Sequence, residues 1–79
     1  MYIEYTKTSI KQIKAQDQPT RNRLKKAIHE IPHGDIKKLR GHSEVYRLRV
    51  GGLRVIYSVS NNIVTIRQVL PRGEAYNNL

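Results

Sequence analysis

The chain has 79 residues, which is enough for one small domain with a single hydrophobic core. It contains no cysteine, so disulfides, thiolate zinc sites and cysteine nucleophiles are excluded. Fifteen Lys and Arg against six Asp and Glu give a net charge of +9. Charge of this density attracts polyanions, and nucleic acid and an acidic protein are the two partner classes it favours.

The hydropathy of the chain argues against a membrane protein. No apolar run approaches the length of a membrane span, and the first residues, MYIEYTK, lack the apolar core of a signal peptide. We therefore expect a cytoplasmic protein without a membrane partner.

The N-terminal part predicts a strand followed by two helices. Residues 2–6 alternate in polarity as a short strand does, and Thr8 or Ser9 can cap a first helix that ends near Ala15. A second helix begins at Asp17 and Pro19 and ends at Pro32 and Gly34. Its apolar stripe consists of Leu24, Ala27, Ile28 and Ile31.

Residues 33–43 predict a loop that carries further basic side chains. Ile36 and Leu39 are expected to tuck beneath it. Lys37, Lys38 and Arg40 point outward and extend the basic surface of the domain, either as a solvated loop or as part of a binding site.

Residues 44–71 predict three antiparallel strands, because the pairs Gly51-Gly52 and Asn61-Asn62 suit two-residue hairpin turns. Counting outward from the turns sets Arg49 opposite Arg54 and Tyr57 opposite Ile66. The same count sets Ile56 opposite Arg67 and Arg54 opposite Val69.

Alternation along these strands sorts their side chains onto two faces. The apolar face is predicted to hold Tyr46, Leu48, Val50, Leu53, Val55, Tyr57, Val59, Val64, Ile66 and Leu70, with Gln68 as its polar member. The opposite face is predicted to hold Arg47, Arg49, Arg54 and Arg67 beside Ile56, Ser58, Thr65 and Val69. The fold class is therefore α+β: a two-layer β-α-α-β-β-β domain over residues 1–79, with a helical hairpin packed on a mainly antiparallel four-stranded sheet.

The basic face has an energetic cost, because like charges directly opposite on paired strands are destabilising. Two interpretations are open: a solvated edge whose guanidinium groups spread into water, or an anion site, most naturally for phosphate. Arg72 follows the last strand, so Arg49, Arg54 and Arg72 can converge on one phosphate with Tyr76 close behind. The three histidines have neither metal-ligand spacing nor a nucleophile partner.

The motifs YRLRVGGLRVIY and PRGEAY, with the GDIKKLRG segment before them, resemble the RelE/ParE superfamily of toxins from toxin–antitoxin modules. The resemblance covers nearly the whole chain. It implies one of two activities: RelE-like members are ribosome-dependent endoribonucleases that cut mRNA in the decoding site, whereas ParE-like members share the fold and poison DNA gyrase.

The resemblance also implies roles for individual residues. Arg47 and Arg49 match two basic positions before the turn that are lysines in the best-known RelE-like enzymes, one of them implicated in acid–base chemistry. Arg54, Arg72 and Tyr76 match positions implicated in mRNA binding or cleavage, which favours the RelE-like branch. Further RNA contacts are expected from Lys37, Lys38, Arg40 and Arg67.

The function predicted from the sequence is a metal-independent mRNA endoribonuclease toxin without a cofactor. In this reaction the 2′-hydroxyl attacks the adjacent phosphate. The expected partners are the ribosome, mRNA and a cognate acidic antitoxin. The antitoxin is expected to find an apolar anchor near Leu24, Ile28 and Ile31, with the alternative that these residues are simply core. A ParE-like gyrase inhibitor and a plain basic nucleic-acid-binding domain are the alternatives.

Overall fold

The computed structural model describes residues 1–41 and 43–71, in which two helices pack on one face of a mixed sheet. The elements in chain order are β1 (Tyr2–Tyr5), α1 (Lys7–Lys14), α2 (Gln18–His29), β2 (Asp35–Lys38), β3 (Val45–Val50), β4 (Leu53–Ser60) and β5 (Ile63–Pro71). The strand order is β1-β5-β4-β3-β2. Strand β1 is parallel to β5 and the other pairs are antiparallel. The predicted two-layer α+β fold is confirmed, with one strand more than expected.

The additional strand is β2, which lies within the segment predicted to be a loop. Its four residues contain one apolar side chain, Ile36, so the sequence carries almost no strand signal of its own. Pairing with β3 defines it instead: Asp35 lies opposite Arg49, and Ile36 lies opposite Leu48. Ile36 packs against the hydrophobic core, as expected, and anchors the edge of the sheet.

Both helices begin at a capping side chain, although the first cap is not the predicted residue. Thr6, rather than Thr8 or Ser9, caps α1 by accepting a hydrogen bond from the backbone N–H of Ser9. Asp17 caps α2 by accepting from the N–H of Thr20, and this hydrogen bonding lowers the pKa of the Asp17 carboxyl. No helix in the described part of the chain is both long and apolar enough to cross a membrane.

The two tight turns fall at the predicted residues. Gly51 has φ +58°, and both Asn61 and Asn62 have positive φ, at +51° and +66°. Positive φ is the conformation that two-residue hairpin turns require. The register next to each turn is the predicted one, including the pairing of Arg49 with Arg54.

The core lies between α2 and the sheet. Leu24 and Ile28 of α2 are fully buried. They pack against buried residues of the three long strands: Leu48, Val50, Val55, Tyr57, Val64, Ile66 and Val69. The predicted covering of the apolar face by the helices is therefore confirmed.

A β-bulge in β5 changes the register in the second half of the β4–β5 pair. Tyr57 lies opposite Ile66, but Ile56 lies opposite Gln68, so that Arg67 is an extra residue in β5. The predicted pairing of Ile56 with Arg67 is wrong for this reason. An extra residue reverses which side chains face the core beyond it.

The reversal moves the last residues of β5 to the faces opposite those predicted. Val69 is buried in the core rather than lying on the basic face. Leu70 and Gln68 lie opposite Arg54 and Ile56 on the other face, and the predicted pairing of Arg54 with Val69 is wrong.

Candidate nucleic-acid interface

The face of the sheet away from the helices carries a basic groove of about 300 Å³ at the β2–β3–β4 edge. Arg49 and Arg54 lie directly opposite each other on β3 and β4, and Arg47 lies two residues earlier on the same face of β3. The groove is lined by Leu39 and six of the predicted site residues: Lys37, Lys38, Arg40, Arg47, Arg49 and Arg54. We call this set of residues the basic groove.

Strand β2 brings the basic side chains in the segment 37–40 next to the arginines of β3. It sets Lys37 opposite Arg47 and Lys38 opposite Tyr46. Lys37 and Lys38 were predicted to extend the basic surface from a loop, and their place in a strand fixes their distance from β3. The groove therefore combines β2 and the residues after it with the arginines of β3 and β4.

The sheet beneath the groove is apolar at one central position. Ile56 is fully buried although it points away from the helices, and its cross-strand partners are Arg47 and Gln68. Long arginine side chains cover apolar surface with their methylene stems while the guanidinium group stays available to ligands. Ile56 thus places a buried apolar side chain opposite Arg47 on the face of the sheet that carries the groove.

Two acidic side chains border the groove and form ion pairs with its cations. Asp35 Oδ1 lies 3.6 Å from Arg47 Nη1, and the Arg47 side chain is only 11% exposed. Glu44 Oε1 lies 3.9 Å from Lys38 Nζ, and both of these side chains are more than half exposed. Cations outnumber acids along the groove, so it presents a positive surface to a polyanion.

The remaining predicted site residues are Arg67, Arg72 and Tyr76. Arg67, at the bulge, is exposed and donates from Nη1 to Ser58 Oγ at 3.4 Å, and it does not line the groove. Arg72 and Tyr76 lie outside the described residues. Strand β5 is described as far as Pro71, which pairs with Leu53 beside Arg54.

Arg23 of α2 is an exposed cation near the site that is not among the predicted site residues. Its Nη1 would lie 3.1 Å from a Cβ placed on Gly51, so the guanidinium group sits at the β3–β4 turn. A small cavity of about 80 Å³ at this turn is lined in part by Arg49 and Arg54. No local pattern indicates that position, because the reach of Arg23 depends on how α2 packs on the sheet.

Histidines and clusters of metal-ligating side chains are the other groups that could carry chemistry. Within residues 1–41 and 43–71, no group of three or more His, Cys, Asp or Glu side chains is arranged to hold a metal ion. His29 and His33 are exposed, and His42 lies outside the described residues.

A second groove lies between the helices, on the opposite side of the molecule from the arginine pair. This second groove has a volume of about 360 Å³. Its lining includes the apolar side chains of Tyr5, Ile10 and Ile13 and the basic side chains of Lys14 and Lys25. Ile28 of the predicted anchor also lines this groove, but Leu24 and Ile28 are both fully buried, which is the alternative that these residues belong to the core.

The chain is similar to known proteins in both sequence and fold. Residues 3–76 match the family model of the ParE toxin of the type II toxin–antitoxin system parDE. The chain belongs to the RelE/ParE superfamily of toxins. It is 32% identical to toxin RelE3 of Methanocaldococcus jannaschii, over 96% of both chains.

Two solved structures of RelE–RelB complexes support the same assignment. The complex from Methanococcus jannaschii matches with a TM-score of 0.75 at 31% identity, over 86% of this chain and 88% of that one. The complex from Pyrococcus horikoshii matches with a TM-score of 0.75 at 27% identity, over 94% and 97%. The resemblance inferred from the sequence motifs is confirmed, and the protein is a RelE-like toxin.

Proposed function

We propose that this RelE-like toxin is a ribosome-dependent mRNA endoribonuclease that acts in the cytoplasm and inhibits translation. The observation that carries the proposal is the basic groove, in which six Lys and Arg side chains from β2, β3, β4 and the segment after β2 converge on one concave surface. A groove of this kind neutralises several consecutive phosphates of a single strand, and that neutralisation supplies most of the affinity for RNA.

The proposed reaction is an internal transesterification. The 2′-oxygen of a ribose attacks the adjacent phosphorus, the bond from phosphorus to the 5′-oxygen breaks, and a 2′,3′-cyclic phosphate is left. The 2′-hydroxyl loses its proton and the departing 5′-oxygen gains one. Negative charge builds on the phosphate oxygens in the transition state, and preorganised donors at that place stabilise it most.

The arginines suit charge stabilisation rather than proton transfer. Arginine stays protonated and therefore cannot act as a general base, but its planar donors bind phosphate in a bidentate manner. We assign Arg54 and Arg72 to the charge on the phosphate, and Arg47 and Arg49 to the RNA backbone. Tyr76 is assigned to base stacking or proton transfer, as the resemblance implies.

No metal ion or cofactor has a step in this proposal. The test of that point is cleavage of mRNA by EDTA-treated toxin on ribosomes supplied with free magnesium for their own integrity. Loss of cleavage after such treatment, with restoration by a transition metal, would contradict a metal-free reaction.

The cleavage proposal itself is tested by primer extension on mRNA after expression of the toxin. New 5′ ends within translated codons are expected, and Arg54→Ala is expected to reduce cleavage by roughly 100- to 1000-fold. Lys26→Ala is the matched control, since Lys26 is an exposed cation on α2 outside the groove. Equal cleavage by the Arg54→Ala variant and the control would contradict the proposal.

A second candidate function is suggested by the family model, which carries the ParE name. ParE-like toxins inhibit DNA gyrase without cutting RNA. DNA damage with intact mRNA after expression would favour this function over cleavage, and the same primer-extension experiment distinguishes the two.

We also propose that the toxin is neutralised by an acidic antitoxin. The solved relatives from Methanococcus jannaschii and Pyrococcus horikoshii are RelE–RelB complexes, and this chain carries a net charge of +9. The groove between the helices combines an apolar lining with Lys14, Arg21 and Lys25, which suits an amphipathic helix with acidic flanks.

Pull-down of the chain from its native host, followed by salt titration, tests the partner. A small acidic protein is expected to co-purify at low salt and to be weakened by Ile10→Glu, because Ile10 is 38% exposed in that groove. Failure of any small acidic protein to co-purify would contradict this part of the proposal.

A further inference from the structure

Arg47 is a cation of the basic groove whose side chain is mostly withdrawn from solvent and forms an ion pair with an acid. The side chain is 11% exposed, and Nη1 is buried without a hydrogen-bond partner among the described residues. Asp35 Oδ1 lies 3.6 Å from this nitrogen, which is close enough for an ion pair but beyond hydrogen-bonding distance. The Nη1–H donors of Arg47 are therefore held beside a negative charge and left without an acceptor.

The ion-pair partner of Asp35 is not the residue directly opposite it on β3. Its direct partner on β3 is Arg49, which is exposed, whereas its carboxylate is paired with Arg47 one step along the same face. The direct partner of Arg47 is Lys37, a like charge that destabilises the pairing. A mostly buried guanidinium group opposite a lysine needs a nearby anion, and Asp35 supplies it.

A buried donor without an acceptor is uncommon in folded proteins, so the nearby carboxylate of Asp35 is the group that offsets the burial of Arg47 Nη1. Arg47 nevertheless lines the basic groove, where a guanidinium group held in place by Asp35 is suited to bind a phosphate. An acid inside an RNA-binding groove otherwise weakens binding, because it repels the backbone of the RNA.

We propose that Asp35 is a positioning residue of the basic groove, whose carboxylate holds the buried Nη1 of Arg47 and so fixes the guanidinium group in the orientation in which Arg47 lines the groove for an RNA phosphate. The inference rests on the proposed RNA-cleaving function and adds a residue to it. Asp35 acts through Arg47 and does not touch the reacting atoms.

The proposal predicts opposite effects on binding and on rate. Asp35→Asn removes a negative charge from the groove, so KM for mRNA on the ribosome is expected to be unchanged or lower. The same variant frees the Arg47 guanidinium group, so kcat is expected to fall by roughly tenfold to a hundredfold, as misplacement of a positioned group does. Asp35→Glu, which restores the carboxylate, is expected to recover most of the rate.

The matched control is Glu44→Gln, which removes the other acidic charge at the border of the groove. Its pair with Lys38 is more than half exposed on both sides, so its loss is expected to leave kcat unchanged. A kcat for Asp35→Asn equal to that of Glu44→Gln would overturn the proposal.

A measurement without cleavage separates this inference from the function on which it rests. In ¹⁵N side-chain spectra of the free toxin, separate Nη signals are expected for Arg47, because its ion pair with Asp35 prevents rotation of the guanidinium group. In Asp35→Asn these signals are expected to merge into one averaged signal. Inorganic phosphate is expected to shift the resolved signals in the wild type.

The spectra decide the inference even if the toxin does not cut RNA. Absence of cleavage by the wild type together with resolved Arg47 signals would contradict the proposed function and leave the positioning by Asp35 supported. Averaged Arg47 signals in the wild type, like those expected of the exposed Arg49, would overturn the positioning role.

Discussion

The hydroxyl group of Thr6 is bound to the carbonyl oxygen of Ile66, 60 residues away in the sequence, at 3.1 Å. The same hydroxyl lies 3.0 Å from the carbonyl oxygen of Arg67, and the N–H of Thr6 also donates to Ile66. Because Thr6 accepts from the N–H of Ser9 as well, one side chain caps α1 and holds β5 at its bulge. Gln12 of α1 continues this contact by accepting from the N–H of Val69.

The first prediction concerns this link between α1 and the bulge. Thr6→Val keeps the shape of the side chain but removes its hydroxyl group, so both the helix cap and the bond to β5 are lost. The free energy of unfolding is expected to fall by roughly 2 kcal/mol, as measured by urea denaturation. Thr6→Ser, which keeps the hydroxyl, is expected to lose less than half of that amount; equal losses would show that the hydroxyl does not hold the bulge.

The second prediction tests the reversed faces beyond the bulge. Val69 is 2% exposed in the core, whereas Leu70 is only half-buried on the opposite face. Val69→Ala is therefore expected to lower the free energy of unfolding by roughly 2 kcal/mol, and Leu70→Ala by less, although Leu70 is the larger side chain. The regular register predicted from the sequence gives the opposite order, so chemical denaturation of the two variants distinguishes the registers.

The bulge shows where prediction from the sequence stops. The turns at Gly51 and Asn61 were predictable because glycine and asparagine tolerate positive φ, which is a local property. The register next to them followed from counting. The extra residue Arg67 was not predictable, because the groups that hold the bulge, on Thr6 and Gln12, belong to a distant segment.

The basic groove was predictable to a similar extent. Alternation along β3 and β4 placed Arg47, Arg49 and Arg54 on one face, and the structure confirms that placement. The ion pair between Asp35 and Arg47 was not foreseen, because it exists only once β2 pairs with β3. A strand with a single apolar residue is defined by its neighbour and not by its own pattern.

The third prediction is a loss of stability in alkali. Burial raises the pKa of Tyr57 to about 12, with a smaller contribution from Tyr46, whose ring is stacked on it with centroids 5.4 Å apart. In the unfolded chain the pKa of tyrosine is about 10. Below pH 10 the phenol is protonated in both states, so the full stability is present. Between pH 10 and 12 only the unfolded state loses the proton, so stability falls as the pH rises.

The size of this effect is roughly 2 to 3 kcal/mol between pH 9 and 12. Tyr57→Phe is the control, since it cannot ionise, and its free energy of unfolding is expected to fall less steeply over the same range. Some decline is expected to remain, because burial also raises the pKa of Tyr5. Identical pH profiles of the wild type and the variant, from urea denaturation at each pH, would contradict the assignment to Tyr57.

The fourth prediction concerns the pair of opposed arginines. Arg49 is exposed and faces Arg54 directly, so its charge costs some tenths of a kcal/mol in stability and is available to an RNA phosphate. Arg49→Ala is expected to leave the free energy of unfolding unchanged or slightly higher. The affinity for single-stranded RNA is expected to fall, and the slope of log K against log salt concentration is expected to shrink by about 0.7, the value for one phosphate contact. Fluorescence anisotropy with a labelled RNA at several salt concentrations measures both quantities.

The control for this experiment is Lys26→Ala, which removes one positive charge from the exposed surface of α2. If net charge alone attracted the RNA, the two variants would bind with equal affinities and equal salt slopes. A contact in the basic groove instead predicts a reduced slope for Arg49→Ala and an unchanged slope for Lys26→Ala. A fall in the free energy of unfolding of more than about 1 kcal/mol in Arg49→Ala would identify Arg49 as a structural residue, because removal of an opposed like charge does not destabilise a sheet.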